Sequence, residues 1–76
     1  MDANMINRRD QPSTTIKEHD IVELTEDLLK ADLFIGDKGT VVHIYPKEEA
    51  YEVEFKKKDG SITVETVEPK QISKSK

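Results

Sequence analysis

Cysteine is absent from the 76-residue chain. The protein therefore forms no disulfide, no thiolate zinc site and no thiol redox centre. At this length a core without such cross-links supplies only about 3–5 kcal/mol of net stability. No stretch is apolar over the roughly 18 residues that a membrane span needs, and the first residues lack the apolar run of a signal peptide. We expect one small, soluble, cytoplasmic domain.

Basic charge is scarce in the middle of the sequence. Between Ile16 and Ile72 there are fourteen acidic and eight basic residues, a balance of −6, whereas the two ends have a balance of +2. Domains that bind nucleic acids normally neutralise phosphates with a basic face, so this balance disfavours a nucleic-acid partner. It favours a basic protein partner. The alternative is that the acidic surface only keeps the domain in solution.

Composition divides the chain into three segments. Residues 1–15 are polar, and the apolar area of Met5 and Ile6 is too small to offset the ordering entropy of the segment. This composition predicts a flexible N-terminal arm. Residues 16–72 form the predicted domain, and residues 73–76 are expected to fray.

Alternation of apolar and polar residues predicts four strands, at residues 20–24, 40–45, 51–56 and 62–65. Pro46 ends the second strand and Pro69 follows the fourth. A short helical turn after Glu68 is expected to deliver Ile72 to the core as part of a fifth, short strand. The predicted core consists of the apolar residues with strand spacing: Val22, Leu24, Val42, Ile44, Val53, Phe55, Ile62 and Val64.

The connections complete the predicted fold. Lys58-Asp59-Gly60 joins the third and fourth strands, and Asp59-Gly60 supplies the positive φ angles that a tight hairpin turn requires. The long first loop, residues 25–37, is expected to begin with a helical turn capped by Thr25-Glu26-Asp27 and carrying Leu28 and Leu29. Its last apolar residues, Leu33-Phe34-Ile35, are expected to return to the core. This layout predicts a mostly β, SH3-like antiparallel barrel of about five strands; the alternative is an open antiparallel sheet packed by the Leu28–Leu29 turn.

Catalytic and metal-binding patterns are not found. His19 and His43 lie 24 residues apart without a metal-ligand spacing, so we expect no enzymatic activity, no metal and no cofactor. Gly36-Asp37-Lys38-Gly39 has the Gly-x-x-Gly pattern of a nucleic-acid clamp, but that clamp joins two helices and this segment enters a strand. A structural turn is the favoured interpretation. Lys56-Lys57-Lys58 is interpreted as a solubilising hairpin end.

Acidic side chains are the remaining candidates for a binding surface. Glu52, Glu54 and Glu65 are expected to point away from the core on adjacent strands. Clustered like charges on a sheet cost stability, so the cluster is either tolerated or retained for a basic partner. The candidate partner-binding residues are Glu26, Asp27, Asp32, Asp37, Glu52, Glu54 and Glu65.

Three segments together resemble a family of short bacterial proteins known as domain of unknown function 4926. They are Asp-Ile-Val-Glu-Leu-Thr-Glu-Asp at 20–27, Gly-Asp-Lys-Gly-Thr-Val-Val-His-Ile-Tyr-Pro at 36–46, and Ala-Tyr-Glu-Val-Glu-Phe at 50–55. The resemblance implies an SH3-like fold and no established activity. Members are often encoded beside small proteins resembling toxin domains, which implies an antitoxin or immunity role.

The leading hypothesis is a non-enzymatic protein-binding module, in the form of an antitoxin-like inhibitor of a basic partner. One alternative is a nucleic-acid-associated SH3-like domain. A second is an accessory domain of a larger enzyme complex. The sequence does not identify the partner, and it contains no information on the oligomeric state.

Overall fold

The computed structural model describes residues 15–75, where the chain forms a single antiparallel sheet. The predicted arm, apart from Thr15, lies outside the described residues. The five strands are β1 (Ile21–Leu24), β2 (Lys38–Ile44), β3 (Tyr51–Lys56), β4 (Ile62–Val67) and β5 (Ile72–Lys74). Their order across the sheet is β4-β3-β2-β1-β5. Three short 3₁₀ turns, at Leu29–Ala31, Pro46–Glu48 and Pro69–Gln71, connect them, and the described part of the chain contains no α-helix.

The sheet is not closed into a barrel. Closure needs a hydrogen-bonded ladder between the two edge strands, and here β4 and β5 are the edges and do not pair with each other. All three residues of β5 pair with β1, from Leu24 opposite Ile72 to Val22 opposite Lys74. The predicted all-β class with five strands is confirmed, and the predicted barrel closure is wrong.

One face of the sheet carries the core. Nine buried apolar residues form it: Val22, Leu24, Leu33, Val41, Tyr51, Val53, Phe55, Val67 and Ile72. Five members of the predicted core are thereby placed correctly, because Val22, Leu24, Val53 and Phe55 are buried and Ile44 packs against the cluster. The predicted burial of Val42, Ile62 and Val64 is wrong. Two backbone irregularities explain these errors.

The first irregularity is a β-bulge in β2. Val41 pairs with Val53, and His43 pairs with the adjacent residue Glu52. Val42 is therefore an extra residue without a partner on β3. A bulge of this kind changes the phase of the side-chain alternation. Val41 and Ile44 therefore both face the core, and Val42 is 39% exposed.

The second irregularity is the length of the β3–β4 hairpin loop. Lys57 N–H donates to the Ser61 carbonyl at 2.8 Å, and Gly60 N–H donates to the Lys57 carbonyl at 2.9 Å. These bonds enclose three loop residues, Lys58-Asp59-Gly60, with Gly60 at φ 91°. Asp59 Oδ1 accepts the Ser61 N–H at 2.9 Å. The predicted connection at Lys58-Asp59-Gly60 is therefore confirmed, whereas the expected two-residue turn at Asp59-Gly60 is wrong.

The longer loop shifts the pairing of β4 with β3 by one residue from the predicted register. It pairs Lys56 with Ile62 and Glu54 with Val64. A one-residue change of register exchanges the two faces of a strand, and residues directly opposite each other share a face. Ile62 and Val64 therefore lie with Glu54 on the outer face, while Val67 is the buried residue of β4.

The first loop, residues 25–37, is ordered, but its hydrogen bonds differ from the predicted capping. Leu28 N–H donates to the Leu33 carbonyl at 2.9 Å, and Leu33 N–H donates back at 3.2 Å. The 3₁₀ turn that these bonds enclose has no side-chain N-cap, so the predicted capping by residues 25–27 is wrong. Only Leu33 enters the core, and Phe34 and Ile35 are exposed.

The sheet extends beyond the predicted end of the domain. Ser73 pairs with Glu23, Lys74 pairs with Val22, and Ser75 N–H donates to the Ile21 carbonyl at 2.9 Å. The expected fraying is therefore wrong for residues 73–75, because they satisfy the outer edge of β1.

Candidate functional site

The seven acidic residues that the sequence offered for partner binding do not form one surface. Three of them, Glu26, Asp27 and Asp37, belong to the first loop and are bound within the chain. Glu52 and Glu54 lie on the outer face of β3, and Glu65 lies on the opposite face of β4. Asp32 is exposed at the end of the 3₁₀ turn, with φ 60°.

The loop carboxylates hold the loop in place. Asp27 Oδ1 accepts the Ile35 N–H at 2.9 Å, and Asp37 Oδ2 accepts the Phe34 N–H at 2.9 Å. Glu26 Oε2 accepts the Gln71 side-chain N–H at 3.0 Å and so ties the loop to the turn before β5. Carboxylates that accept backbone N–H bonds satisfy polar groups that would otherwise lack partners. Their role in the described contacts is therefore structural.

Glu52 is the centre of a polar cluster on the outer face. Its carboxylate accepts hydrogen bonds from the Tyr45 hydroxyl and from the Thr66 hydroxyl, the latter at 2.8 Å. The Tyr45 hydrogen bond, followed by that of Thr66, lowers the pKa of Glu52, and the same Glu52 bond raises the pKa of Tyr45. The His43 ring packs edge-on against Tyr45, with centroids 4.8 Å apart. This cluster links β2, β3 and β4.

Glu65 was expected to lie beside Glu52 and Glu54, and this placement is wrong. The register pairs Glu65 with the buried Val53, so its side chain belongs to the inner face at the edge of the sheet. There Glu65 Oε2 accepts the Thr63 hydroxyl at 2.6 Å. The one-residue change in hairpin register is the cause. The expected three-residue acidic face is reduced to Glu52 and Glu54.

The outer face instead exposes a group of large apolar side chains. Ile62 is 61% exposed, Val64 52% and Ile21 46%. A shallow groove of about 340 Å³, lined by residues of β1, β2, β3 and β4, lies on this face, and we call it the outer-face groove. Its lining residues are Ile21, Lys38, Gly39, Thr40, Glu54, Phe55, Lys56 and Ile62.

The outer-face groove combines apolar and charged side chains. Isoleucine side chains supply apolar contact, while Lys38, Lys56 and Glu54 supply both signs of charge. Exposed Ile62 and Val64 were missed by sequence reasoning because their spacing is that of a core strand. The one signal that distinguishes the two cases is the length of the hairpin loop.

Residues 15–75 contain neither a metal-binding cluster nor a membrane-spanning helix. No group of three or more His, Cys, Asp or Glu side chains in this range is arranged to hold a metal ion. Within the same range, no helix has the length and apolar character to cross a membrane. The Gly-x-x-Gly segment is a turn only in its first half, with Gly36 at φ 92° and Asp37 accepting the Phe34 N–H, because Lys38 and Gly39 already belong to β2.

These features define a small all-β domain built on an open five-stranded sheet. Residues 18–74 match the family model described as domain of unknown function (DUF4926), and the chain belongs to this family. No curated protein matches the chain. No solved structure matches it either.

Proposed function

We propose that the protein is a non-enzymatic protein-binding module that contacts its partner through the outer face of the sheet. The observation that carries this proposal is the exposure of Ile62 and Val64 on a regular strand. Contiguous apolar side chains exposed beside polar ones are typical of protein interaction sites. The outer-face groove beside Ile62 adds a concave feature to this surface.

The net charge of the whole domain, and not a local cluster of carboxylates, supports a basic partner. Glu52 already accepts two hydrogen bonds within the chain, and three loop carboxylates are similarly occupied. The excess of acidic residues between Ile16 and Ile72 still creates a negative potential that attracts a basic protein over several ångströms. We assign steering to this net charge and contact to the outer face. An inhibitor of the antitoxin or immunity type is the physiological form that we propose.

The fold proposal that accompanies this function is an open relative of the SH3-like barrel. The strand order supports it, because the last short strand returns after a 3₁₀ turn to pair with the first. The long first loop and the two following hairpins occur in the corresponding order.

The test is affinity enrichment from the native cell extract with two matched variants. Ile62→Thr combined with Val64→Thr removes apolar contact from the outer face while keeping β-branched residues that suit a strand. The control is Ile35→Thr, which removes a similarly exposed isoleucine from the first loop. We expect proteins enriched by the wild type and by the control to be depleted at least about tenfold with the double variant, equivalent to about 1.4 kcal/mol.

Binding is then measured directly with the purified protein that the enrichment identifies. Calorimetry is expected to reproduce the ranking of the three variants, and higher salt is expected to slow association. Equal enrichment by the wild type and the double variant would remove the outer face from the binding surface. The thermal unfolding of each variant is recorded alongside, so that lost binding is not confused with lost folding.

A further inference from the structure

Within residues 15–75, no strand pairs with the outer edge of β4. Lys57 N–H donates to the Ser61 carbonyl, and hydrogen-bonded pairs alternate along an antiparallel ladder. Phe55–Thr63 and Val53–Glu65 are therefore hydrogen-bonded pairs of the β3–β4 ladder. The N–H and C=O groups of Ile62, Val64 and Thr66 consequently point away from β3, toward the edge.

This edge lacks most of the features that normally prevent pairing with another chain. Natural edge strands are short or carry lysine, proline, a bulge or an inward-pointing charge. Strand β4 reads Ile-Thr-Val-Glu-Thr-Val, with no lysine or proline, and all six positions pair with β3 in one continuous register. Its one inward-pointing charge is Glu65. The other edge strand, β5, has three residues and contains Lys74. Only β4 therefore offers a long regular edge.

We propose that β4 pairs antiparallel with β4 of a second copy of this chain, with Val64 on the two-fold axis. In this register Val64 faces Val64 of the other copy, Ile62 faces Thr66, and Thr63 faces Glu65. All three outward-pointing residues then exchange backbone hydrogen bonds with the second copy. The two sheets become one ten-stranded sheet.

Charge decides between the two registers that overlap most over Ile62–Val67 while keeping both outer faces on one side. Shifting the axis to Glu65 would place two carboxylates opposite each other, which is destabilising. With Val64 on the axis, each Glu65 carboxylate instead faces a Thr63 hydroxyl, the group from which it already accepts a bond at 2.6 Å within its own chain. The strand is therefore complementary to itself.

The neighbouring loop leaves room at this edge. A recess of about 280 Å³ lies between Leu28–Ala31 and the edge residues Glu65 and Thr66. The proposed register brings Thr63 of the second copy opposite Glu65, beside this recess. Leu28 and the highly exposed Leu29 also line it.

Pairing also joins the apolar side chains of the two outer faces. Ile62 and Val64 of both copies form a continuous strip across the axis, which lowers their exposure to water. The inference does not depend on the proposed function, because it requires only the edge of β4 and no foreign partner.

The experiment measures the mass of the full 76-residue chain in solution by sedimentation equilibrium over a range of concentrations. We expect the wild type to approach twice the monomer mass of 8.7 kDa as its concentration rises. Val64→Lys places like charges opposite each other on the axis and is expected to keep the protein monomeric. Ile21→Lys adds the same charge to the same face away from the edge and is expected to leave the dimer intact.

A charge-exchange experiment separates the proposed edge from any other dimer contact. Val64→Glu alone is expected to be monomeric, whereas an equimolar mixture of Val64→Lys and Val64→Glu is expected to dimerise. A dissociation constant of about 1 mM corresponds to a free energy of dimerisation of only about 4 kcal/mol. A wild type that stays monomeric up to about 1 mM would overturn the proposal. So would a dimer that survives Val64→Lys, or a mixture that stays monomeric although both variants are folded by circular dichroism.

Discussion

Gly39 lies where β2 passes closest to the core side of β3. A methyl group at this position would lie 2.6 Å from Val53 Cγ1 and 2.8 Å from the Glu54 backbone oxygen. Contacts this short force the strands apart, because a backbone oxygen in a ladder cannot rotate out of the way. Gly39, predicted from the sequence to belong to a turn, is thus required by the close packing of β2 against β3.

Replacement of Gly39 by alanine is therefore expected to destabilise the domain severely. Overpacking a well-filled site costs about 1–3 kcal/mol and occasionally more, and the stability of so small a domain is only about 3–5 kcal/mol. The control is Gly60→Ala, where a methyl group meets no atom within 4 Å and only the positive φ is strained. Urea unfolding of both variants measures the difference; equal costs would contradict the packing role of Gly39.

Glu52 makes stability depend on pH through its two hydroxyl donors. Its pKa is lowered from 4.5 in the folded chain, because Tyr45 and Thr66 hydrogen-bond to the charged form. The resulting stabilisation is present above the pKa of the unfolded chain and is lost as pH falls through the lower pKa of the folded chain. Asp20 and Asp59, whose pKa values are also lowered, act with the same sign.

The expected result is that Glu52→Gln is less stable than the wild type at neutral pH and that the difference shrinks as the pH falls below about 4.3, the ordinary range of a glutamate. Urea unfolding at a series of pH values measures it. Glu54→Gln is the matched control, since it removes a charge from the same strand and leaves the Tyr45 and Thr66 bonds in place. A constant difference between Glu52→Gln and wild type at all pH values would refute the linkage.

At the scale of single elements, the bulge in β2 can be tested with two adjacent valines. Val41 is fully buried and Val42 is 39% exposed. Val41→Ala is expected to cost about 1.5–3 kcal/mol, the value of burying such a side chain, whereas surface substitutions usually stay within about 0.5 kcal/mol. Thermal unfolding of Val41→Ala and Val42→Ala gives the ranking. A larger loss of stability for Val42→Ala than for Val41→Ala would contradict the bulge and support the unbroken alternation that the sequence predicts.

The β3–β4 hairpin allows a more direct test of register. Replacing Asp59 by asparagine, with Lys58 and Gly60 kept, favours a two-residue Asn-Gly turn that places Lys58 opposite Ser61, and hence the register in which Val64, not Thr63, faces Phe55. That register would bury Ile62 and Val64 but would expose Val67, now buried. We expect the variant either to lose stability or to exchange the two faces of β4. Backbone NOEs between β3 and β4 distinguish the two registers, and an unchanged register at unchanged stability would contradict the role of loop length.

Periodicity predicted β1 and β3 correctly because both strands are regular, and the inward positions Val22, Leu24, Val53 and Phe55 follow directly from it. It failed in β2 and β4 because a bulge and a loop length decide the facing there, and both depend on backbone hydrogen bonds. The candidate acidic site failed for a related reason. Composition reports the charge of a carboxylate, and only the folded chain shows that Asp27 accepts a backbone N–H.

For the whole molecule, the charge distribution predicts no binding of nucleic acids. Of the basic run at residues 56–58, Lys56 lines the outer-face groove, while the Lys58 ammonium lies 5.9 Å from the centre of the Phe34 ring. We therefore expect these lysines not to act as one phosphate-binding patch. Titration with DNA and RNA at about 0.15 M salt, where the Debye length is about 8 Å, is expected to show no saturable binding.

The control for this titration is a variant with Lys57 and Lys58 changed to glutamine. Micromolar binding by the wild type that weakens in the variant and falls steeply with salt would support the nucleic-acid-associated alternative over the protein-binding module.

Both ends of the described domain lie at one edge of the sheet. The Lys74 ammonium is 3.3 Å from the Thr15 carbonyl oxygen and 3.5 Å from the Asp20 carboxylate, and Ser75 is bonded to Ile21. A pulling force applied through the two ends would therefore load the β1–β5 ladder from one end and open its hydrogen bonds one after another, like a zipper. Such a domain yields to weak tension, and β4, at the far edge, carries no load until β1 and β5 have separated.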